Sequence, residues 1–236
     1  MRRAYVPLVA LLPLLLGAEG ATPPAGGSIA GSVVTVKDGK PAKRDDVYVY
    51  LQRVGRSKNR ELPGKGVRKE IHQKGKAFEP HVVVIPVGGV VAFPNDDKED
   101  HNVFSPTDPG FDLGRYTTDK KGKPHTFEDA DEFDIFCDIH PQMWAKVKVV
   151  ESEYIAQVVD GKFSFEGVAP GTYKVIAWTS DSAEVKSDKV VVTAGRSITL
   201  PNALHLQLTV ASGCHDRKDG TPYDAKYGRS SRCPQK

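Results

Sequence analysis

Cys137, His140 and Met143 follow one another at three-residue intervals in Phe136-Cys137-Asp138-Ile139-His140-Pro141-Gln142-Met143. One short turn after a strand can therefore offer a thiolate, an imidazole and a thioether to a single ion. A second imidazole comes from upstream, in Asn95-Asp96-Asp97-Lys98-Glu99-Asp100-His101-Asn102-Val103, just beyond a strand that ends near Phe93. Two nitrogens, one thiolate and a weak axial thioether form the ligand set of a blue-copper centre. The thiolate is soft and suits Cu(I), the imidazoles also satisfy Cu(II), and one fixed geometry then serves both oxidation states. The expected centre is one type 1 copper ion held by His101, Cys137, His140 and Met143, working as a one-electron carrier. Met143 has a plainer alternative as a filler of the apolar core.

Other chemistries fit less well. Structural zinc takes four firm N/S ligands, and a thioether is a poor one. Covalent haem attachment needs Cys-x-x-Cys-His, which the chain lacks. His72, His81, His125 and His205 have no second ligand-type residue at a metal-binding interval; His215 beside Cys214 is suggestive but isolated. No nucleophile and base stand together, so an enzyme is not expected. A copper store or delivery protein, or an envelope binding module with a structural metal, are the competing functions.

The elements that must position these ligands are short, Val-rich and often alternating runs broken by Gly, Pro, Asp and Asn. They include Ile29 to Val36, Val47 to Leu51, His81 to Val87, Gly89 to Phe93, Glu132 to Cys137 and Ala145 to Val150. No long stretch of 3.6-residue period lies between them, so the chain is expected to be all-β, with strand spacing suited to sandwiches or barrels. Residues Gln52 to Lys76 read as a basic loop, either simply solvated or a docking surface for anions.

Residues Pro86 to Asn95, the His101-Asn102-Val103-Phe104-Ser105 run and the Cys137–Met143 turn together resemble the cupredoxins, especially short-loop members such as amicyanin; the likeness spans roughly Phe78 to Val150. It implies a Greek-key β-sandwich of plastocyanin-like type. His101 and His140 would bind through Nδ1, Cys137 through sulfur and Met143 axially, and the backbone of Asn102 would tie the two ligand loops together. The edge of the His140 ring would be the electron port, with Pro141 and Trp144 forming an apolar rim. Acidic residues flank both ligand loops, as Asp96, Asp97, Glu99 and Asp100 before His101 and as Asp129, Asp131, Glu132 and Asp134 before Cys137. They serve either solubility or the steering of a basic redox partner.

Downstream, Asp160-Gly161 begins a hairpin that runs through an alternating strand, a Pro170-Gly171 turn and a second alternating strand to Trp178. This resembles the regulatory-like domain of carboxypeptidases, a smaller transthyretin-like β-sandwich that packs or binds. The expected division is a signal peptide over 1–20, a linker over 21–27, the copper domain over 28–152, the second sandwich over 153–211 and a tail over 212–236. The segment 28–52 has features of either sandwich.

Arg2 and Arg3, the apolar stretch Val6 to Leu16 and the small residues near Ala18 and Ala21 read as an export signal, too short and too Pro-broken for a membrane span. A periplasmic or secreted location follows, with no membrane span once the signal is removed. An oxidising compartment permits a disulfide between Cys214 and Cys233, whose loop of roughly 20 residues would contribute about 3 kcal/mol. That pairing leaves Cys137 as the odd thiol, protected by burial or by a metal. The net charge of +3, with 27% charged residues, gives no reason to invoke nucleic acid. The partner implied is a redox protein, unidentified, and the oligomeric state stays open.

Overall fold

The computed structural model describes residues 26–55, 62–209 and 215–223. The signal peptide, Cys214 and Cys233 lie outside the described residues, and the expected disulfide with them. The described residues contain strands and turns and no helix. In chain order the strands are β1 (Gly27–Lys37), β2 (Lys40–Pro41), β3 (Tyr48–Arg53), β4 (Arg68–Glu70), β5 (His72–Gln73), β6 (Phe78–Glu79), β7 (Val82–Pro86), β8 (Gly89–Asn95), β9 (His101–Ser105) and β10 (Phe111–Tyr116). They continue as β11 (Asp119–Phe127), β12 (Glu132–Phe136), β13 (Trp144–Val150), β14 (Ile155–Gln157), β15 (Lys162–Val168), β16 (Gly171–Trp178), β17 (Val185–Val192), β18 (Ser197–Thr199) and β19 (Leu204–Gln207).

Two sandwiches result. One faces the sheet β10-β9-β12-β13-β7 against β11-β8-β5-β6, with β4 also on β8. Its core includes Phe93, Val103, Phe127, Ile135, Cys137 and Met143. The other faces β15-β1-β18, with β2 and β19 also on β1, against β14-β3-β16-β17. Its core includes Ile29, Leu51, Phe163, Tyr173, Val175 and Leu206. Period-two patterning shows clearly in β15, where Phe163 and Phe165 are buried and Lys162, Ser164 and Glu166 are exposed.

The division of the chain at 28 and 152 is corrected by the strand pairing. β1 pairs with β15, β18 and β19, and β3 with β14 and β16, so both opening strands build the second sandwich. The sandwich that holds Cys137 is inserted between β3 and β14, which pair with each other. Alternation identifies a strand and its buried face but not its partner, so the sequence could not choose between the two cores.

Part of the basic stretch 52–76 also departs from a loop. Arg68–Glu70 and Gln73 pair in parallel with β8. Arg68 and Glu70 are exposed on a short edge, where charged side chains discourage further pairing, whereas Gln73 is buried and its Nε2 donates to the Tyr116 hydroxyl at 2.7 Å.

β7 is buried at every position. Val83 and Ile85 enter the core that holds Cys137, while Val82 and Val84 pack with Tyr50, Ile176 and Trp178 of the other sandwich. A strand covered on both faces reads as a continuous apolar run. Around this shared layer, Trp178 Nε1 donates to Glu132 at 2.9 Å, the Tyr50 hydroxyl donates to Glu184, and Lys148 Nζ lies 2.9 Å from Glu184.

Candidate metal centre

β8 ends at Asn95 and β9 begins at His101, so the first imidazole is set by the short loop between them. Asn95 closes that loop: its Nδ2 donates to the Glu99 and Tyr116 carbonyls, both at 3.0 Å, and its Oδ1 accepts the Asp97 N–H at 3.0 Å. The Asp97 carboxylate accepts N–H groups from Gly75 at 2.8 Å and Lys76 at 3.0 Å, and His101 Nε2 at 2.9 Å. An ionised carboxylate only accepts, so the proton on His101 sits on Nε2 and Nδ1 is left with its lone pair. Burial opposes ionisation of Asp97, but the Lys76 and Gly75 amides and His101 hold its carboxyl down at about 2.

The second and third ligand atoms come from the turn after β12. β12 pairs with β13 along its length and touches β9 at Phe136↔Phe104. This brings Cys137 beside His101 and Asn102. The turn is closed by the Met143 N–H donating to the His140 carbonyl at 3.1 Å.

The three groups converge. His101 Nδ1 and His140 Nδ1 are 3.1 Å apart, and Cys137 Sγ is 3.9 Å from His140 Nδ1. One ligand atom from each of His101, Cys137 and His140 lies within 4.8 Å of the others. Such spacings suit ligands sharing one ion at bonds of about 2.0–2.1 Å to nitrogen and about 2.3 Å to sulfur. All three residues are buried, His140 retaining 5% exposure.

Asn102 joins the two stretches. Its backbone N–H points at Cys137 Sγ at 3.5 Å, its Oδ1 accepts the Asp138 N–H at 3.3 Å, and its Nδ2 donates to Asp112 at 2.7 Å. Burial pushes the Cys137 thiol up, against the lowering pull of the Asn102, Ile139 and His140 amides. His140 is pushed down by burial and by the neighbouring His101 and Lys76, which favours the neutral imidazole that binds metal. A buried thiol beside two imidazoles would give up its proton on binding a cation.

Met143 is fully buried in the core that holds Cys137. Its place in the fold thus serves the filler reading as well as the ligand reading. Trp144 does not form an exposed rim: it is 2% exposed and packs with Phe104 and Phe136. β13 begins at this residue, and alternation puts its side chain on the face opposite Ala145, Val147 and Val149, which enter the core with Met143. The other histidines have structural settings: His72 Nδ1 meets Asp96 at 2.8 Å, His81 Nδ1 meets the Trp144 carbonyl at 3.1 Å, His125 stacks on Phe111 at 3.8 Å, and His205 sits exposed on β19. The acidic loop before His101 is largely matched by cations, with Lys120 2.7 Å from Asp96 and Lys76 2.9 Å from Glu99.

Two contributors were not singled out from sequence. Asp97 appeared only as one acid among several, although its place four residues before His101 is a usable signal. Residues 215–223, which lie against the Cys137 loop, carry no local pattern that points there.

Among known proteins, a family model described as polysaccharide lyase family 4, domain II matches residues 143–200. No curated protein matches. Amicyanin from Paracoccus versutus (Thiobacillus versutus) is similar at 21% identity over 43% of this chain and 98% of that one, with a TM-score of 0.33. A purple cupredoxin from Nitrosopumilus maritimus is similar at 26% identity over 35% and 99%, with a TM-score of 0.30. The Cu(I) form of an amicyanin mutant with one methionine replaced by alanine is similar at 21% identity over 36% and 83%, with a TM-score of 0.33. The functional reading rests on the geometry of the centre itself.

Proposed function

We propose that the chain is an exported type 1 copper protein that carries single electrons between protein partners and turns over no substrate. The observation that carries this reading is the meeting of His101 Nδ1, His140 Nδ1 and Cys137 Sγ, from two loops, in one buried cluster. Copper supplies a Cu(II)/Cu(I) couple there; the chain supplies a donor set that suits both states. Asp97 orients the His101 ring, Asn102 directs an N–H at the sulfur, and the paired sheets fix the loops so that little need move when the charge changes. Met143 takes the axial role in this reading, supported by its spacing on the Cys137 turn and consistent with its burial in the same core. His140, the least buried of the three, is the electron port, and a redox protein is the partner. The second sandwich, with its carboxypeptidase regulatory-like hairpins, is a packing or binding module. Export fits a centre that uses Cys137 and leaves Cys214 and Cys233 free to pair; among the described residues no helix is long and apolar enough to cross a membrane.

Adding Cu(II) to the pure apoprotein is expected to give an intense thiolate-to-copper absorption in the visible, reversibly bleached by a mild reductant. Cys137→Ser is expected to lose that colour altogether. A colourless complex, or colour that survives the substitution, contradicts the proposal. Fast electron self-exchange separates a carrier from a copper store, which releases its metal readily and cycles slowly.

A further inference from the structure

The contacts of residues 215–223 concentrate on three consecutive residues of the ligand loop. His215 stacks on Phe136, with ring centroids 3.8 Å apart and planes 11° from parallel. The Tyr223 hydroxyl donates to the Cys137 carbonyl. The Lys218 N–H donates to Asp138 Oδ1 at 3.1 Å, and Arg217 Nε lies 3.6 Å from the same oxygen. Lys218 Nζ reaches Asp112 at 2.7 Å, the same carboxylate that receives Asn102. His215 and Tyr223 meet edge to face, with centroids 5.5 Å apart, so the two ends of the segment also support each other.

The peptide between Cys137 and Asp138 is thereby held from both sides. Its N–H donates inward to Asn102 Oδ1, and its C=O accepts from Tyr223 outside. Asp138 is only 3% exposed, and a carboxylate so placed requires donors. Arg115 supplies one at 2.9 Å on Oδ2, and the tail supplies those on Oδ1. Without the tail, the residue beside the sulfur would be a half-satisfied charge at a newly wetted surface.

We propose that residues 215–223 are a strap belonging to the metal centre, with Tyr223 and His215 as positioning residues that hold the Cys137–Asp138 peptide and limit how often the thiol becomes accessible. The strap itself needs no metal; its effect on ion release rests on the copper reading above. Each hydrogen bond or ring contact of this kind contributes about 0.5–1.5 kcal/mol, so losing one corresponds to roughly a 2- to 12-fold change in an opening equilibrium.

The test uses the full chain, first without metal. Alkylation of Cys137 by iodoacetamide is followed by peptide mapping, which reads Cys214 and Cys233 separately. Tyr223→Phe is expected to speed modification of Cys137 by about 2- to 12-fold, and Tyr223→Phe with His215→Ala by more. Tyr154→Phe removes a hydroxyl that accepts the Ala169 N–H in the other sandwich and is expected to leave the Cys137 rate unchanged. In the copper-loaded protein, the same tail variants are expected to shift the thiolate-to-copper band and to release the ion to excess chelator faster by a similar factor.

A Cys137 rate equal to that of the parent in Tyr223→Phe, or one raised equally by Tyr154→Phe, overturns the strap. If the double variant fails to fold, the single hydroxyl deletion carries the test. If the parent protein takes up no copper while the tail variants still unmask Cys137, the copper reading fails and the strap stands.

Discussion

At the scale of single residues, the role of Asp97 separates a ligand cluster from a tuned one. Its carboxylate fixes which nitrogen of His101 is protonated and which way the ring faces, and such outer partners typically govern 10- to 100-fold in metal affinity. Asp97→Ala is therefore expected to weaken Cu(II) binding by about that factor in a competitive chelator titration while leaving the thiolate colour detectable at saturation. Unchanged affinity would mean the ring is held by packing alone. The cluster of His101, Cys137 and His140 was legible in part because Cys137 and His140 sit on one turn, where spacing is geometry. His101 was legible through its company, Asn102 and the strand before it. Asp97, Tyr223 and Lys218 act across the chain, and no local spacing encodes their contacts.

At the scale of elements, the strands that sequence found are those with an apolar side to bury. β10 and β11 offer little of one: Phe111 and Leu113 are only half-buried against the core, and β11 buries Phe127 alone, the rest of it being half-buried or exposed and rich in Lys. Their position depends instead on backbone fit. Gly122, at φ +66, lies against β8 so closely that a Cβ would come within 2.3 Å of Pro94 N. Gly122→Ala combines a left-handed backbone, costing about 1–2 kcal/mol, with a clash against main chain that cannot rotate away. Chemical unfolding is expected to show a loss above about 2 kcal/mol for Gly122→Ala. Gly39→Ala, at φ +74 with open space around it, should lose only about 1–2 kcal/mol from the backbone effect. Equal losses at the two sites would remove the argument from contact.

For the molecule as a whole, the two sandwiches share a layer that combines apolar packing with a charged rim. Burial alone would raise the Glu184 carboxyl, but the Tyr50 hydroxyl and the Lys148 and Lys186 ammonium groups hold it below its ordinary value. A carboxyl depressed in the folded state adds stability in full above its unfolded pKa, about 4.3, and loses it as pH falls through the lower folded value. Glu184→Gln should thus cost roughly 1 kcal/mol at neutral pH, discounted for partial exposure, and flatten the fall in melting temperature below about pH 4.3. Parallel pH profiles for the two proteins would show that Glu184 does not link them.

The pairing of β3 with β14 has a further outcome. Tyr50 faces Ile155, so the chain leaves and re-enters the surrounding sandwich at neighbouring points on one sheet. Synthesis from the N-terminus completes β4 to β13 while the surrounding sandwich still lacks β14 to β19 and residues 215–223 are not yet made, so His101, Cys137 and His140 can meet before the strap reaches them. Two chain crossings, side by side, also act as a double tether against swivelling. The same adjacency makes the inserted unit a cartridge: a short turn from Arg53 to Tyr154 would close the gap and leave a host sheet whose strands keep their order.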